Sequence, residues 1–304
     1  MLADAFYWIF NMSIVAGITT AVIWAVGAFK KIPRRVMVFL WLIPALRMAV
    51  PLGLSSPYSL ISALSRLTAK PVAVLRPIPE YDLSMMNSVM AAEDYFPITY
   101  KTELLHRIFT AASVIWIIVA LAILVLLAVL YVTTLRELKD STHFRENVYL
   151  SSKVTTPAVY GILRPRIILP AGWSGRDLQW VLLHEHAHIR RGDNLWRMLA
   201  FSLAAVHWFN PFSWVFLRRL LTDLELACDE SVLAQVGEDH RKEYAQALLD
   251  SRGEKTGFAS AFGGARIRTR IENILSYQKM TRISWVAFAG LTLAIFYVLL
   301  TNAC

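Results

Sequence analysis

Several familiar features are scarce or missing in this chain. Cysteine is almost absent, with only Cys228 and Cys304 in 304 residues. The topology derived below places them on opposite sides of a membrane, so a disulfide is not expected and Cys228 should remain a thiol. There is no internal repeat and no low-complexity tract, which excludes a repeat array. A secretory signal peptide is missing too: Asp4 stands where a basic n-region would, the apolar run that follows is too long, and no clear small-residue cleavage site ends it. That first run is therefore expected to stay as a helix. No nucleic-acid motif accompanies the net charge of +9, and the basic residues follow a membrane pattern rather than one face of a soluble fold, so direct nucleic-acid binding is not expected.

What the chain has in abundance is apolar sequence. Hydrophobic residues make up 56% of it and the mean hydropathy is positive, too apolar for an ordinary soluble domain of this length. Four runs, about 6–29, 36–54, 108–132 and 284–301, approach the roughly 20 residues needed to cross a hydrocarbon core. Between them lie the turn Lys30-Lys31-Ile32-Pro33-Arg34-Arg35, a mixed-charge segment over about 55–106, and a long segment over about 133–283. The long segment carries 21 of the 31 Lys and Arg residues and the 30–35 turn four more. The positive-inside rule then puts both in the cytoplasm and both termini outside. Three parts are expected: 1–132 with three membrane helices, 133–283 as a cytoplasmic domain, and 284–304 as a last membrane helix.

The long segment contains Val181-Leu182-Leu183-His184-Glu185-His186-Ala187-His188. On a helix of 3.6 residues per turn, positions four apart share a face, so His184 and His188 can grip one metal ion. Glu185 projects beside that face, placed to take a proton from a water whose pKa a zinc ion lowers from about 15.7 towards roughly 7. A zinc hydrolase needs a third protein ligand and one open position. Glu225, in Thr222-Asp223-Leu224-Glu225-Leu226-Ala227-Cys228-Asp229-Glu230, is the candidate ligand on a second helical run. Asp229, four residues on, shares its face and can accept the second ring N–H of a ligating histidine.

These segments, together with Thr156-Pro157-Ala158-Val159-Tyr160-Gly161-Ile162-Leu163-Arg164-Pro165-Arg166-Ile167-Ile168-Leu169-Pro170, the continuation Ile189-Arg190-Arg191-Gly192-Asp193 and His207-Trp208-Phe209-Asn210-Pro211, resemble the membrane metalloprotease domain of the BlaR1/MecR1 family of β-lactam-sensing receptors, peptidase family M56. The resemblance covers nearly the whole chain. It implies that His184, His188 and Glu225 bind Zn2+, that Glu185 is the catalytic base, and that Asp229 supports a ligand. The cysteine before Asp229 favours this family over the related HtpX/Ste24 proteases. The receptors continue past their last membrane helix into a penicillin-binding domain, whereas this sequence runs only to Cys304, so β-lactam binding is not expected and a stimulus would come through a separate sensor protein.

The expected architecture is an α+β membrane protein with about four transmembrane helices and a cytoplasmic gluzincin-like zinc metalloprotease domain, in a bacterial inner membrane. The expected function is regulated proteolysis of a peptide or protein substrate, a cytoplasmic transcriptional repressor by resemblance, and of the chain itself. The alternatives are an HtpX-type quality-control protease and a non-catalytic receptor scaffold braced by zinc.

Further expectations concern individual segments. Leu195 to Leu221 is apolar, but Arg197, His207, Asn210 and Pro211 interrupt it, and a crossing there would part Glu225 from His184. It should return as two short amphipathic helices against the membrane face or the helix bundle. Strands are expected over 154–156, 158–160 and 166–169, either aligning an extended substrate or bracing the zinc helix. His186 and His207 should be structural, and Arg47 should snorkel or act as a relay. His240, Tyr244, Arg266, Arg268 and Arg270 are unranked candidates for a transition-state donor. The small-residue run 256–264 is a candidate self-cleavage loop.

Overall fold

The computed structural model of the chain describes residues 2–29, 32–50, 58–59, 103–172, 178–250 and 266–301. The mixed-charge segment is thus largely outside the described residues, and so is the run 256–264. Three described helices are long and apolar enough to cross a membrane: α1 (Leu2–Val26), most of α4 (Glu103–Glu137) and α10 (Arg282–Leu300).

Within the 36–54 run the described residues form a broken helix rather than one continuous one, and 51–54 lie outside the described residues. The described part forms two short helices, α2 (Arg34–Leu40) and α3 (Leu42–Ala49), meeting at Trp41. Pro44 in the first turn of α3 has no N–H to give to the carbonyl one turn back, which weakens the ladder where the break occurs. The described residues 34–49 rise about 24 Å, most of a roughly 30 Å hydrocarbon core. Arg47 is buried in α3 with its guanidinium turned to the end of α10 rather than to the membrane surface. Its Nε and Nη2 donate to Leu299 O at 3.0 and 2.9 Å, and Nη2 also donates to Thr301 O at 2.8 Å, capping the end of α10.

The segment after α4 opens with a four-stranded mixed sheet, in the order β1 (Thr142–Arg145), β2 (Val148–Ser151), β4 (Arg166–Pro170), β3 (Ala158–Tyr160). β1–β2 and β3–β4 are antiparallel and β2–β4 is parallel. Residues 154–156 form a turn rather than the expected strand, and β1 and β2 were not expected. Val148, Ile167 and Leu169 pack on Val181 and Leu182 of α5 (Leu178–Arg191), seating the sheet on the helix that carries the histidines.

The stretch 195–221 returns as a helical hairpin packed on the helix bundle, one of the two expected places, with its second helix longer than expected. α6 (Asp193–Val206) and α7 (Pro211–Val236) meet at 207–210, a tip that packs amid the long apolar helices. Phe209 lies 5.6 Å from Phe6 and 6.1 Å from Phe10 of α1, beside Phe109 and Trp116 of α4. Each polar group that argued against a crossing has a partner. His207 donates from Nε2 to Met48 O at 3.0 Å, leaving Nδ1 to accept from the Ser13 hydroxyl at 2.5 Å. Asn210 donates to Ser13 O at 2.7 Å and caps α7 by accepting from Phe212 N, with Pro211 at the position where its missing N–H costs least. Trp116 Nε1 donates to the Val206 carbonyl at the end of α6.

One core therefore runs through both parts of the molecule. It joins Ile23 of α1, Met37 of α2, Ile43 of α3, Ala204 of α6 and Phe216 and Leu224 of α7. On the α2 side of α7, the Glu230 carboxylate accepts the backbone N–H groups of Arg34 and Arg35 at 3.0 and 3.3 Å, and Asp223 accepts Trp41 Nε1 at 2.7 Å. These bonds fix the rotation of α7 about its axis, and so the direction in which Glu225 and Asp229 point. Behind them, α8 (Arg241–Asp250) and α9 (Ile267–Leu275) close a second core of Ala187, Val232, Leu233, Tyr244, Leu248 and Ile274.

Candidate metal centre

α5 places His184 and His188 one above the other, as their spacing requires, and α7 crosses so that Glu225 faces both. The two Nε2 atoms are 3.1 Å apart, and the Glu225 oxygens lie 3.8 Å from each. Bonds of about 2.0–2.1 Å in a tetrahedral arrangement set ligand atoms roughly 3.3–3.5 Å apart, and the observed 3.1 and 3.8 Å separations bracket that range. The other ring nitrogens are occupied in the way ligating histidines require. His188 Nδ1 donates to Asp193 Oδ2 at 2.6 Å. His184 Nδ1 lies 2.8 Å from the Tyr244 hydroxyl, which in turn donates to Asp229 Oδ1 at 2.7 Å; Asp229 itself is 3.3 Å from that nitrogen. Both Nδ1 atoms act as donors, which leaves both Nε2 lone pairs directed at the space shared with Glu225.

Asp193 and Tyr244 complete this set and were not singled out in the sequence. Gly192 adopts φ +66° between α5 and α6, a conformation that costs a glycine little, and this reversal returns Asp193 to His188. Tyr244 is buried on the inward face of α8. Its hydroxyl serves the Nδ1 side of His184, away from the ligand space, so it is not free as a transition-state donor. His240 is exposed against Trp180, Arg266 is exposed, and exposed Arg268 pairs with Glu272. His186 is exposed, with its Nδ1 2.7 Å from Leu182 O.

The electrostatics favour a cation. Burial opposes charge on both imidazoles, but the Cys228 sulfur and the neighbouring carboxylates outweigh it: His188 rises to about 9, with Asp193 and Glu225 contributing, and His184 also rises. Burial likewise works against ionised Glu225, yet His188, Arg197 and Arg270 hold its carboxyl far below the usual range. Asp229 falls to about 2, chiefly through Arg270 overcoming burial. Arg197, one of the residues that interrupts the apolar stretch, reaches Glu225 Oε1 at 2.5 Å.

Cys228 is a second possible third ligand. Its sulfur is buried and clusters with the two histidines, all ligand atoms within 4.8 Å of one another. Burial pushes the thiol up and the imidazoles pull it down, to about 7. Geometry favours Glu225. Sγ lies 3.6 Å from His184 Nδ1 and 3.4 Å from His184 O, on the side already committed to Tyr244, whereas Glu225 faces both Nε2 atoms.

Glu185, next to His184 on α5, is buried, and burial together with the Glu185 charge raises the Tyr160 phenol on β3. β3 is an edge among the described residues, but its outer side is already engaged. Ile167 N–H turns to Asn147 O in the β2 direction, so its partner Val159 faces away from the sheet. The carbonyls of Val159 and Gly161 both accept from Asn194 Nδ2, at 3.2 and 2.9 Å. This anchors β3 to the first turn of α6, as a brace for the histidine-bearing helix would require.

Comparison with known proteins agrees with this arrangement. The model of the BlaR1 peptidase M56 family matches residues 7–274. The chain belongs to that family. Among curated M56 relatives it is 29% identical to the regulatory protein BlaR1 of Bacillus licheniformis over 152 residues, covering 46% of this chain and 25% of that protein. It is 25% identical to the methicillin resistance mecR1 protein of Staphylococcus aureus over 103 residues, 33% of this chain and 18% of that one, and 23% identical to S. aureus BlaR1 over 165 residues, 46% and 28%. The matches thus span about a quarter or less of the length of these relatives. The chain thus joins an M56 family match over 7–274 to three described helices long and apolar enough to cross a membrane.

Proposed function

We propose that the chain is a zinc-dependent endopeptidase of a bacterial inner membrane, acting in regulated proteolysis. The observation that carries this reading is the convergence of two imidazole Nε2 atoms and one carboxylate from two helices, with Glu185 buried next to His184 on α5, in an M56 chain. His184, His188 and Glu225 would hold Zn2+, which supplies a Lewis acid and lowers the pKa of a water. Asp193, and Tyr244 with Asp229, keep the histidine Nδ1 atoms protonated and their rings fixed. Glu185 takes the proton from the attacking water and returns it to the leaving amine. A purely structural zinc site has no use for Glu185 at that place.

By the resemblance, the substrate is a cytoplasmic transcriptional repressor, and the chain itself within 256–264; relatives named as regulatory proteins support a regulatory role. Terminal-peptide mass spectrometry of cells carrying the wild-type chain or Glu185→Gln tests this. New termini in one regulator, and between about 257 and 268 of the chain itself, are expected only with the wild type. Scattered cleavage of many membrane proteins would instead indicate a quality-control protease.

Read as membrane helices, α1 and α4 place the α6–α7 tip beside their apolar lengths, so the hairpin dips into the bilayer from the cytoplasm and returns with its polar groups paired inside the protein. Glu225 lies 14 residues, about 21 Å, from the start of α7, which sets the centre near the cytoplasmic boundary. Reporter fusions at 150 and 240 should both read cytoplasmic and one at 304 external. An external signal at 240 would break this topology.

A further inference from the structure

We infer that Arg270 is a positioning residue of the metal centre, supplied by α9, the helix that precedes the last membrane helix. This rests on the zinc reading above. Its guanidinium forks onto Asp229, Nε to Oδ2 at 2.8 Å and Nη2 to Oδ1 at 2.7 Å, while Nη1 lies 3.4 Å from Glu225 Oε2 and Nη2 3.2 Å from His184 Nε2. Like His184 itself, Arg270 thus reaches both the proposed carboxylate ligand and the carboxylate that supports His184. Arg197 reaches only Glu225 of these two, at its other oxygen.

The consequences follow from guanidinium geometry. A planar fork on both Asp229 oxygens fixes that carboxylate in plane, so one oxygen is always presented to the Tyr244 hydroxyl, and through it to His184 Nδ1. Arg197 and Arg270 hold Glu225 from its two oxygens, confining it to the side-chain orientation that faces both Nε2 atoms. The guanidinium is largely committed to these contacts, so orienting ligands suits it better than serving as a mobile transition-state donor. α9 is itself firmly seated: Ile267, Ile271 and Ile274 pack into the core of Tyr244 and Leu233, and Arg241 donates to Tyr277 O at 2.7 Å beyond its end. The metal centre is thereby assembled from five helices, α5 to α9, and the last of them leads into α10.

The test is zinc affinity of the purified full-length protein by chelator competition, with the visible spectrum of the Co2+-substituted protein as a readout of ligand geometry. Arg270→Gln should weaken zinc binding about 10–100-fold and alter the cobalt spectrum, the range typical for loss of a residue supporting a ligand. Arg270→Lys keeps the charge but not the fork, should fold, and should give a smaller shift in the same direction. Arg268→Gln, on the same helix but exposed, should match the wild type in both readouts. Equal zinc affinity and an unchanged cobalt spectrum in both Arg270 variants would overturn the assignment alone. A wild-type protein that binds no zinc would overturn the metal reading itself, and this assignment with it.

Discussion

Replacing Glu185 by Gln is expected to leave zinc bound and to abolish most peptide cleavage, lowering kcat about 10²–10⁴-fold, the usual contribution of a positioned general base. The amide is nearly isosteric with the carboxylate and Glu185 is not among the converging donors, so metal content should stay at the wild-type level. Because Gln cannot accept the proton of the attacking water, the loss should fall on kcat rather than KM. Metal analysis beside a cleavage assay separates the two effects. A Gln variant that cleaves as fast as the wild type would remove Glu185 from the chemistry.

The second large effect concerns the ligands. Glu225→Ala should lose zinc affinity by more than the roughly 10–100-fold that loss of a supporting residue costs, because it removes one of three protein donors and leaves Arg197 and Arg270 facing the histidines without their shared carboxylate. Asp193→Ala should fall within that 10–100-fold range, since it frees His188 Nδ1 while leaving Nε2 in place. Cys228→Ser should change little, because the sulfur sits by the Nδ1 edge of His184. Chelator competition across the three variants checks the order. If Cys228→Ser weakens binding as much as Glu225→Ala, the cysteine is a ligand.

Much of the site was legible in the sequence because it obeys helical periodicity. His184 with His188, and Glu225 with Asp229, are pairs four apart, and the demand that the two helices meet correctly ruled out a crossing by 195–221. The depth to which that stretch inserts was not legible. It depends on partners remote in sequence, Ser13 for His207 and Asn210 and Met48 for His207, that no local pattern announces. Pro44 was a visible warning that 36–54 is not one straight helix. β1 escaped notice because Thr142, His143, Phe144 and Arg145 are all exposed and show no alternation.

Arg270 was named only as one of three similar arginines. A signal was present: Ile267, Ile271 and Ile274 form the buried stripe of α9, Arg270 falls on that stripe, and Arg266 and Arg268 do not. Asp193 had a comparable marker, a carboxylate just past a glycine that ends the histidine helix. Tyr244 had none, since a buried tyrosine on an amphipathic helix reads as core until its hydroxyl is seen to meet Asp229 and His184.

The most direct test of the metal centre is X-ray absorption at the zinc edge on the purified, metal-loaded protein. The account predicts one zinc per chain with only nitrogen and oxygen neighbours at about 2.0–2.2 Å, including the multiple-scattering pattern of two imidazoles. A sulfur neighbour at about 2.3 Å would contradict it by placing Cys228 on the metal, and a spectrum without imidazole scattering would remove His184 and His188 from the site.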